Sequence, residues 1–191
     1  MKKNRKNLLI LGITLSIILN LYLFQQLNDN KEKSRLAQFE KIQNGVNYSY
    51  NFGDILQRNY KDLSLEEKAE YLTAMSWSLQ LSTHMLEVVE PKDEGYRELA
   101  NLFNIYSHVP SSNDLGVLIK KENGSDEEVL KLLDLWLTDM KYLDENLDYF
   151  QLSKMNYNEL REYWGTLIPN LKYKNKALNK YKETIAKTSE A

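Results

Sequence analysis

The chain has 191 residues, 25 basic and 27 acidic side chains, no cysteine and a formal net charge of -2. Lack of cysteine removes disulfides, thiolate metal sites, thiol nucleophiles and lipid-modified cysteines from consideration. The acidic balance argues against a general nucleic-acid binder, and the length suffices for one domain with a real core.

The first element is the run from Leu8 to Phe24, LLILGITLSIILNLYLF, preceded by Lys2, Lys3, Arg5 and Lys6. As a helix it covers about 25 Å of a bilayer core about 30 Å thick. Its only polar members are Thr14, Ser16 and Asn20. Hydroxyls can bond back to the helix backbone, and Tyr22 and Phe24 lie where aromatic rings favour the headgroup level. The segment after Asn20, LYLFQQLN, offers no small-residue pair for signal cleavage. The pattern predicts an uncleaved anchor over 8–24, associated with the cytoplasmic membrane. Asp29, Lys31, Glu32 and Lys33 follow with mixed sign, so the positive-inside rule puts the basic tail 1–7 in the cytoplasm. The expected localisation is the cell membrane, single-pass type II, with the C-terminal domain extracytoplasmic. Abundant Asn, Lys, Ile and Tyr suit an AT-rich bacterial genome, hence a bacterial envelope.

Residues 25–60 read as a stalk and a tyrosine-rich linker. A helix leaves the membrane, gains an apolar stripe at Leu36, Phe39 and Ile42, and stops at Asn44-Gly45, where glycine supports a left-handed cap. A short helix is expected from Asp54. Residues 61–191 then read as a helical bundle. Ser64 and Glu67 form a capping box before Leu72, Met75, Leu79, Ser82, Leu86 and Val89, a face that runs to about Glu90 and ends at Pro91. A second helix runs from Asp93 to about His108 with Tyr96, Leu99, Phe103 and Tyr106 on one side, broken by Pro110 and Ser111-Ser112-Asn113. A short helix is expected over 114–121, then a turn at Glu122-Asn123-Gly124.

Ser125 and Glu128 suggest another capping box. From there Val129, Leu133, Trp136, Met140, Leu143, Leu147 and Phe150 alternate by four and three, the strongest periodic signal in the chain. Asp126, Glu127, Asp134, Asp139, Asp144, Glu145 and Asp148 read as its solvated faces. Asn156 with Glu159 opens a further helix carrying Leu160, Trp164, Leu167 and Leu171, divided by Pro169. The end, 172–187, is basic, with Leu178, Tyr181 and Ile185 interleaved. The 13 tyrosines are expected to finish a core with a wet edge.

The fold class is therefore all-α: a single N-terminal transmembrane helix followed by an antiparallel bundle of four to five amphipathic helices. Catalytic motifs are missing. His84 and Glu87 share a face, but a di-iron bundle needs Glu-x-x-His on two helices, and His108 has Ile105 at the matching place. No Gly-rich phosphate loop or nucleophile elbow occurs. No catalytic, cofactor-binding or metal-binding residue is assigned, and no cofactor is expected. One charge asymmetry remains. Subtracting the four tail residues leaves the outer part near about -6, yet Lys172, Lys174, Lys176, Lys180 and Lys182 cluster in its last segment. Charge runs are usually solvated faces, here one closing against the acidic helix; the sharper reading is a patch for an anionic partner. The expected function is a non-enzymatic, membrane-anchored interaction or sensory module, whose partner is another envelope protein or an anionic envelope polymer. The alternative is an envelope hydrolase, or a hydrolase inhibitor, using surface carboxylates.

Overall fold

In the computed structural model, residues 2–110, 115–120 and 125–189 are described, with side chains over 12–110, 115–119 and 125–186. Among the described residues eight α-helices follow in order: α1 Lys2–Asn59, α2 Leu65–Glu87, α3 Glu94–His108, α4 Leu115–Lys120, α5 Asp126–Asn146, α6 Tyr149–Leu152, α7 Tyr157–Leu167 and α8 Lys176–Ser189. A 3₁₀ turn, Ile168–Asn170, follows α7. No strand occurs among the described residues, so the protein is an all-α helical bundle. The expected breaks at Ser111-Ser112-Asn113 and Glu122-Asn123-Gly124 lie outside the described residues, as do the side chains of Lys2, Lys3, Arg5 and Lys6.

The chain divides into two compact units, Met1–Ala37 and Gln38–Ala191. In the first, every described apolar side chain from Ile13 to Phe24 other than glycine-sized ones is 46–65% exposed. Among the described residues no helix is long and apolar enough to cross a membrane. The expected transmembrane helix therefore lacks support there; Leu8 to Leu11, the start of its apolar run, have no described side chains.

In the second unit the helix does not stop at Gly45. α1 continues to Asn59, and Phe39, Ile42, Val46 and Leu56 are wholly buried. The segment read as stalk and linker thus supplies core from Phe39 onward. Gly45 serves close approach instead of a turn. A Cβ there would collide with Ser82 Oγ and lie 2.5 Å from the Ser78 carbonyl oxygen of α2. Two buried hydroxyls tie the same pair of helices: Ser49 donates to the Met75 carbonyl at 2.7 Å, and Ser82 donates to the Ile42 carbonyl at 2.7 Å. One turn pair further on, a Cβ on Gly53 would meet Leu137, Trp136 and Met75 within 3.2 Å. Glycine at 45 and 53 lets α1 lie against both α2 and α5.

α3 occupies the middle of the bundle. Tyr96, Leu99, Ala100, Leu102, Phe103, Tyr106 and Ser107 are all buried, a wider belt than one amphipathic stripe. It packs along α2 and also meets α7 and α8. Phe103 stands edge-on to Trp164 of α7, with ring centroids 6.1 Å apart, and the Tyr181 hydroxyl of α8 donates to the Leu99 carbonyl at 3.2 Å.

Caps decide the remaining ends. Ser64–Glu67 and Asn156–Glu159 close complete capping boxes. Ser125 accepts from the Glu128 N–H without the reciprocal bond, so that box is half-built. The expected helix through Phe150 ends at Asn146, because the Asp148 carboxylate accepts from the Phe150 and Gln151 N–H groups and starts α6. Leu147 stays buried while Phe150 is exposed.

Substituting Gly45 by Ala tests the α1–α2 approach. The gain in helix propensity, about 1 kcal/mol, is outweighed by overpacking of about 1–3 kcal/mol, since the clash includes backbone. Thermal unfolding of Gly45→Ala should begin several degrees lower, whereas Gly12→Ala, whose Cβ meets nothing within 4 Å, should leave the midpoint unchanged.

Candidate functional site

The chemical centre of the bundle is Asp139, read from sequence as part of a solvated acidic face. It is 0% exposed. One oxygen, Oδ1, accepts the Lys172 N–H at 2.6 Å; the other accepts the Tyr173 N–H at 2.7 Å and the Tyr106 hydroxyl at 2.7 Å. The signal was present in the spacing, since position 139 falls three residues after Trp136 and one before Met140, on the apolar stripe itself. Trp136 Nε1 donates to the Tyr106 carbonyl at 3.4 Å, and the rings of Tyr106 and Tyr173 meet at 6.1 Å. Three separate stretches, α3, α5 and residues 171–175, converge on one carboxylate.

Burial pushes the Tyr106 hydroxyl well above the ordinary tyrosine range, and the charge and hydrogen bond of Asp139 push it further. Tyr181 is raised chiefly by burial and then by Glu98. With every polar atom of Asp139 engaged and no solvent access, the cluster acts as a clasp. It does not resemble a general acid or base, which needs a free position facing substrate.

Residues 171–175 lie outside any helix and begin extended at Leu171, with Leu171 and Tyr173 buried and Lys172 and Lys174 exposed in alternation. α8 then carries Lys176 and Lys180 outward, while Leu178, Tyr181 and Ile185 enter the core. The basic segment therefore packs on the bundle, against α3 and α7. Four of its five candidate lysines point to solvent. Lys182 does not: it is half-buried and its Nζ donates to the Leu171 carbonyl at 2.9 Å. Burial holds Lys182 below the usual lysine range; Asp139 opposes that shift, while Lys174 and Lys172 add to it. Among the described residues, the ion pairs are Arg58–Asp54, His84–Glu87 and Lys141–Glu145, so none joins these lysines to a carboxylate. The acidic helix does not neutralise them.

A second surface went unread. Leu65, Ala69, Thr73, Trp77 and Leu81 recur every fourth residue on the face of α2 turned from the core, and Trp77 is 71% exposed. A furrow of about 620 Å³ runs there between Ala69, Thr73, Ala74 and Trp77, edged by Glu66 and Glu70. A second hollow of about 570 Å³ lies beside Gln43, Asp144, Glu145, Asp148 and Phe150. His84 pairs with Glu87 at 3.5 Å, and His108 Nδ1 lies 2.7 Å from the Asn104 carbonyl. No group of three His, Asp or Glu side chains suited to a metal converges among the described residues.

Asp139→Asn keeps the shape but faces an NH₂ group toward a backbone or tyrosine donor. Loss of one charge-assisted bond and the orphaned donor should cost about 2–4 kcal/mol, lowering the thermal midpoint by about 5–15 °C. The tyrosines predict an alkaline limit. Folded Tyr106 and Tyr181 hold protons that an unfolded tyrosine releases near its ordinary value of 10.0. Above that pH the unfolded state binds fewer protons, so stability is fully present below about pH 10 and falls as pH rises beyond it. Unfolding midpoints across pH 8–12 should show this fall, with a gentler slope in Tyr106→Phe.

No protein-family model, curated protein or solved structure matches the chain, and its function rests on its own residues and their geometry.

Proposed function

We propose that the chain is a non-enzymatic, membrane-anchored interaction module of a bacterial envelope, its helical unit held on the outer face of the cytoplasmic membrane. The observation that carries this reading is the uncovered apolar helix of the first unit. Isoleucine, leucine, tyrosine and phenylalanine side chains from Ile13 to Leu27 stand exposed on all sides of α1. A contiguous apolar surface of this kind needs a partner, and lipid satisfies it without directional demands. The one amide between Ile13 and Phe24 is already satisfied: Asn20 Nδ2 donates to the Ser16 carbonyl at 2.9 Å. With Leu8 to Leu11 the stretch reaches the lower end of spanning length, and Lys2, Lys3, Arg5 and Lys6 orient it. The module's working surfaces are then the lysine row of 172–180 and the Trp77 face of α2. A wall-hydrolase reading needs two carboxylates facing a cleft; Asp139 is saturated with donors, and of the acids beside the hollow Asp148 caps α6 and Asp144 accepts from Asn47 Nδ2 at 2.9 Å.

The test uses the full chain with a C-terminal tag. It should sediment with membranes and stay there through alkaline carbonate washing. Ile17→Arg with Leu21→Arg, each costing about 2.5–3.5 kcal/mol of insertion, should release it. Protease added to intact cells should remove the tag. Recovery of the wild-type chain in the carbonate supernatant, or a tag that survives until lysis, would overturn the proposal.

A further inference from the structure

We infer that Lys172, Lys174, Lys176 and Lys180 form a built binding row for a linear, phosphate-bearing polyanion such as a phosphodiester polymer of the envelope. This names a ligand class for the helical unit and rests on the reading of that unit as an outward-facing module. Several observations carry it. From Lys172 to Lys182 the chain contains no acidic residue at all. The four lysines are exposed, and none makes an ion pair among the described residues. Like charges so arranged repel one another and gain from an external counter-charge.

The row is also continuous in sequence. Lys172 and Lys174 lie two residues apart on the non-helical stretch before α8, both exposed. Lys176 and Lys180 lie four residues apart on α8, about one helical turn. Four exposed cations in succession suit a ligand whose charges repeat along a chain better than they suit a single anion. The line is held rigid from beneath. Asp139 takes the N–H groups of Lys172 and Tyr173, Asn175 caps α8 by accepting the Leu178 N–H at 2.7 Å, and Lys182 ties back to the Leu171 carbonyl. Lys182 is thus a positioning residue beneath the row. Burial first, and then the nearby charges of Lys174 and Lys172, hold Lys182 below the usual lysine range. The net negative charge of the whole unit does not cancel the patch, because fields are screened over about 8 Å at physiological salt. That same acidity elsewhere confines binding to this row.

The experiment titrates the full chain in zwitterionic detergent micelles with fluorescent poly(glycerol phosphate) at several salt concentrations. Wild-type protein should bind, with affinity falling steeply as salt rises. The variant Lys172→Gln/Lys174→Gln/Lys176→Gln/Lys180→Gln should bind at least tenfold more weakly and lose about 3 from the log–log salt slope. A charge-matched control, Lys41→Gln/Lys61→Gln/Lys92→Gln/Lys131→Gln, also replaces exposed lysines and should bind like wild type. Circular dichroism confirms that each variant keeps its helices. Equal losses in the two variants would reduce the effect to bulk charge and overturn the proposal, as would undiminished binding by the row variant. Tighter binding to vesicles containing anionic phospholipid than to the polymer, at equal phosphate, would also overturn it. Topology is measured in cells and polymer binding in micelles, so either reading can fail alone.

Discussion

Asp139 takes a carboxyl group to a place where water cannot follow, and the second unit is arranged around meeting its demand. Burying such a group is costly unless its oxygens are filled by well-aligned donors. Here the three donors come from parts of the chain 33 and 34 residues away in sequence. Each short bond therefore fixes tertiary structure and not merely a local turn. Two of the donors are backbone N–H groups of a non-helical stretch, and no strand occurs among the described residues to receive them. Without the carboxylate those groups would be orphaned beside a hydrophobic core. The interaction is reciprocal: the carboxylate needs the non-helical segment, and the segment needs the carboxylate. The placement of α8, which begins just beyond, follows from it.

The contact of α1 with α2 and α5 is governed by the absence of side-chain bulk. Gly45 and Gly53 lie eight residues apart on α1, slightly over two turns, and so share a side of the helix. Ser49 lies midway between them and Ser82 faces them, each spending its hydroxyl on a carbonyl of the other helix. Small residues bring the backbones close, and the hydroxyls then reach partners that longer side chains would have displaced. Close approach and hydrogen bonding are one device here. α3 is buried on most of its circumference, because it packs along α2, bonds to α5 through Tyr106, and meets α7 and α8 as well.

Periodicity made the helices legible. The stripes of α2, α5 and α7 lie in the core, Pro169 divides the seventh helix as its missing N–H requires, and the complete capping boxes stand where Ser64 and Asn156 announced them. What failed was punctuation whose meaning depends on tertiary contact. Gly45 looks like a stop in one dimension, because nothing in the local sequence reveals that a second helix presses on it. Asp148 looks like one more acid on a wet face, yet its carboxylate caps α6 and interrupts the best periodic run in the chain. Asp139 was hidden by its company. Among seven acids on one helix, only its phase relative to Trp136 and Met140 distinguishes it. The lysine row was visible as composition, but composition could not say that Lys182 turns inward while four neighbours turn out.

The tryptophans divide in a way that matters optically. Trp136 and Trp164 are 0% exposed, whereas Trp77 is 71% exposed. An indole in a dry, rigid site emits to the blue and resists collisional quenchers; one in water emits to the red and is readily quenched. The native emission band is thus a superposition of two populations with separate meanings. Its blue component reports whether the core around α3 is intact. Its iodide-sensitive red component reports only what touches the outer face of α2. The chain carries, without any label, one probe for its folding and another for its surface.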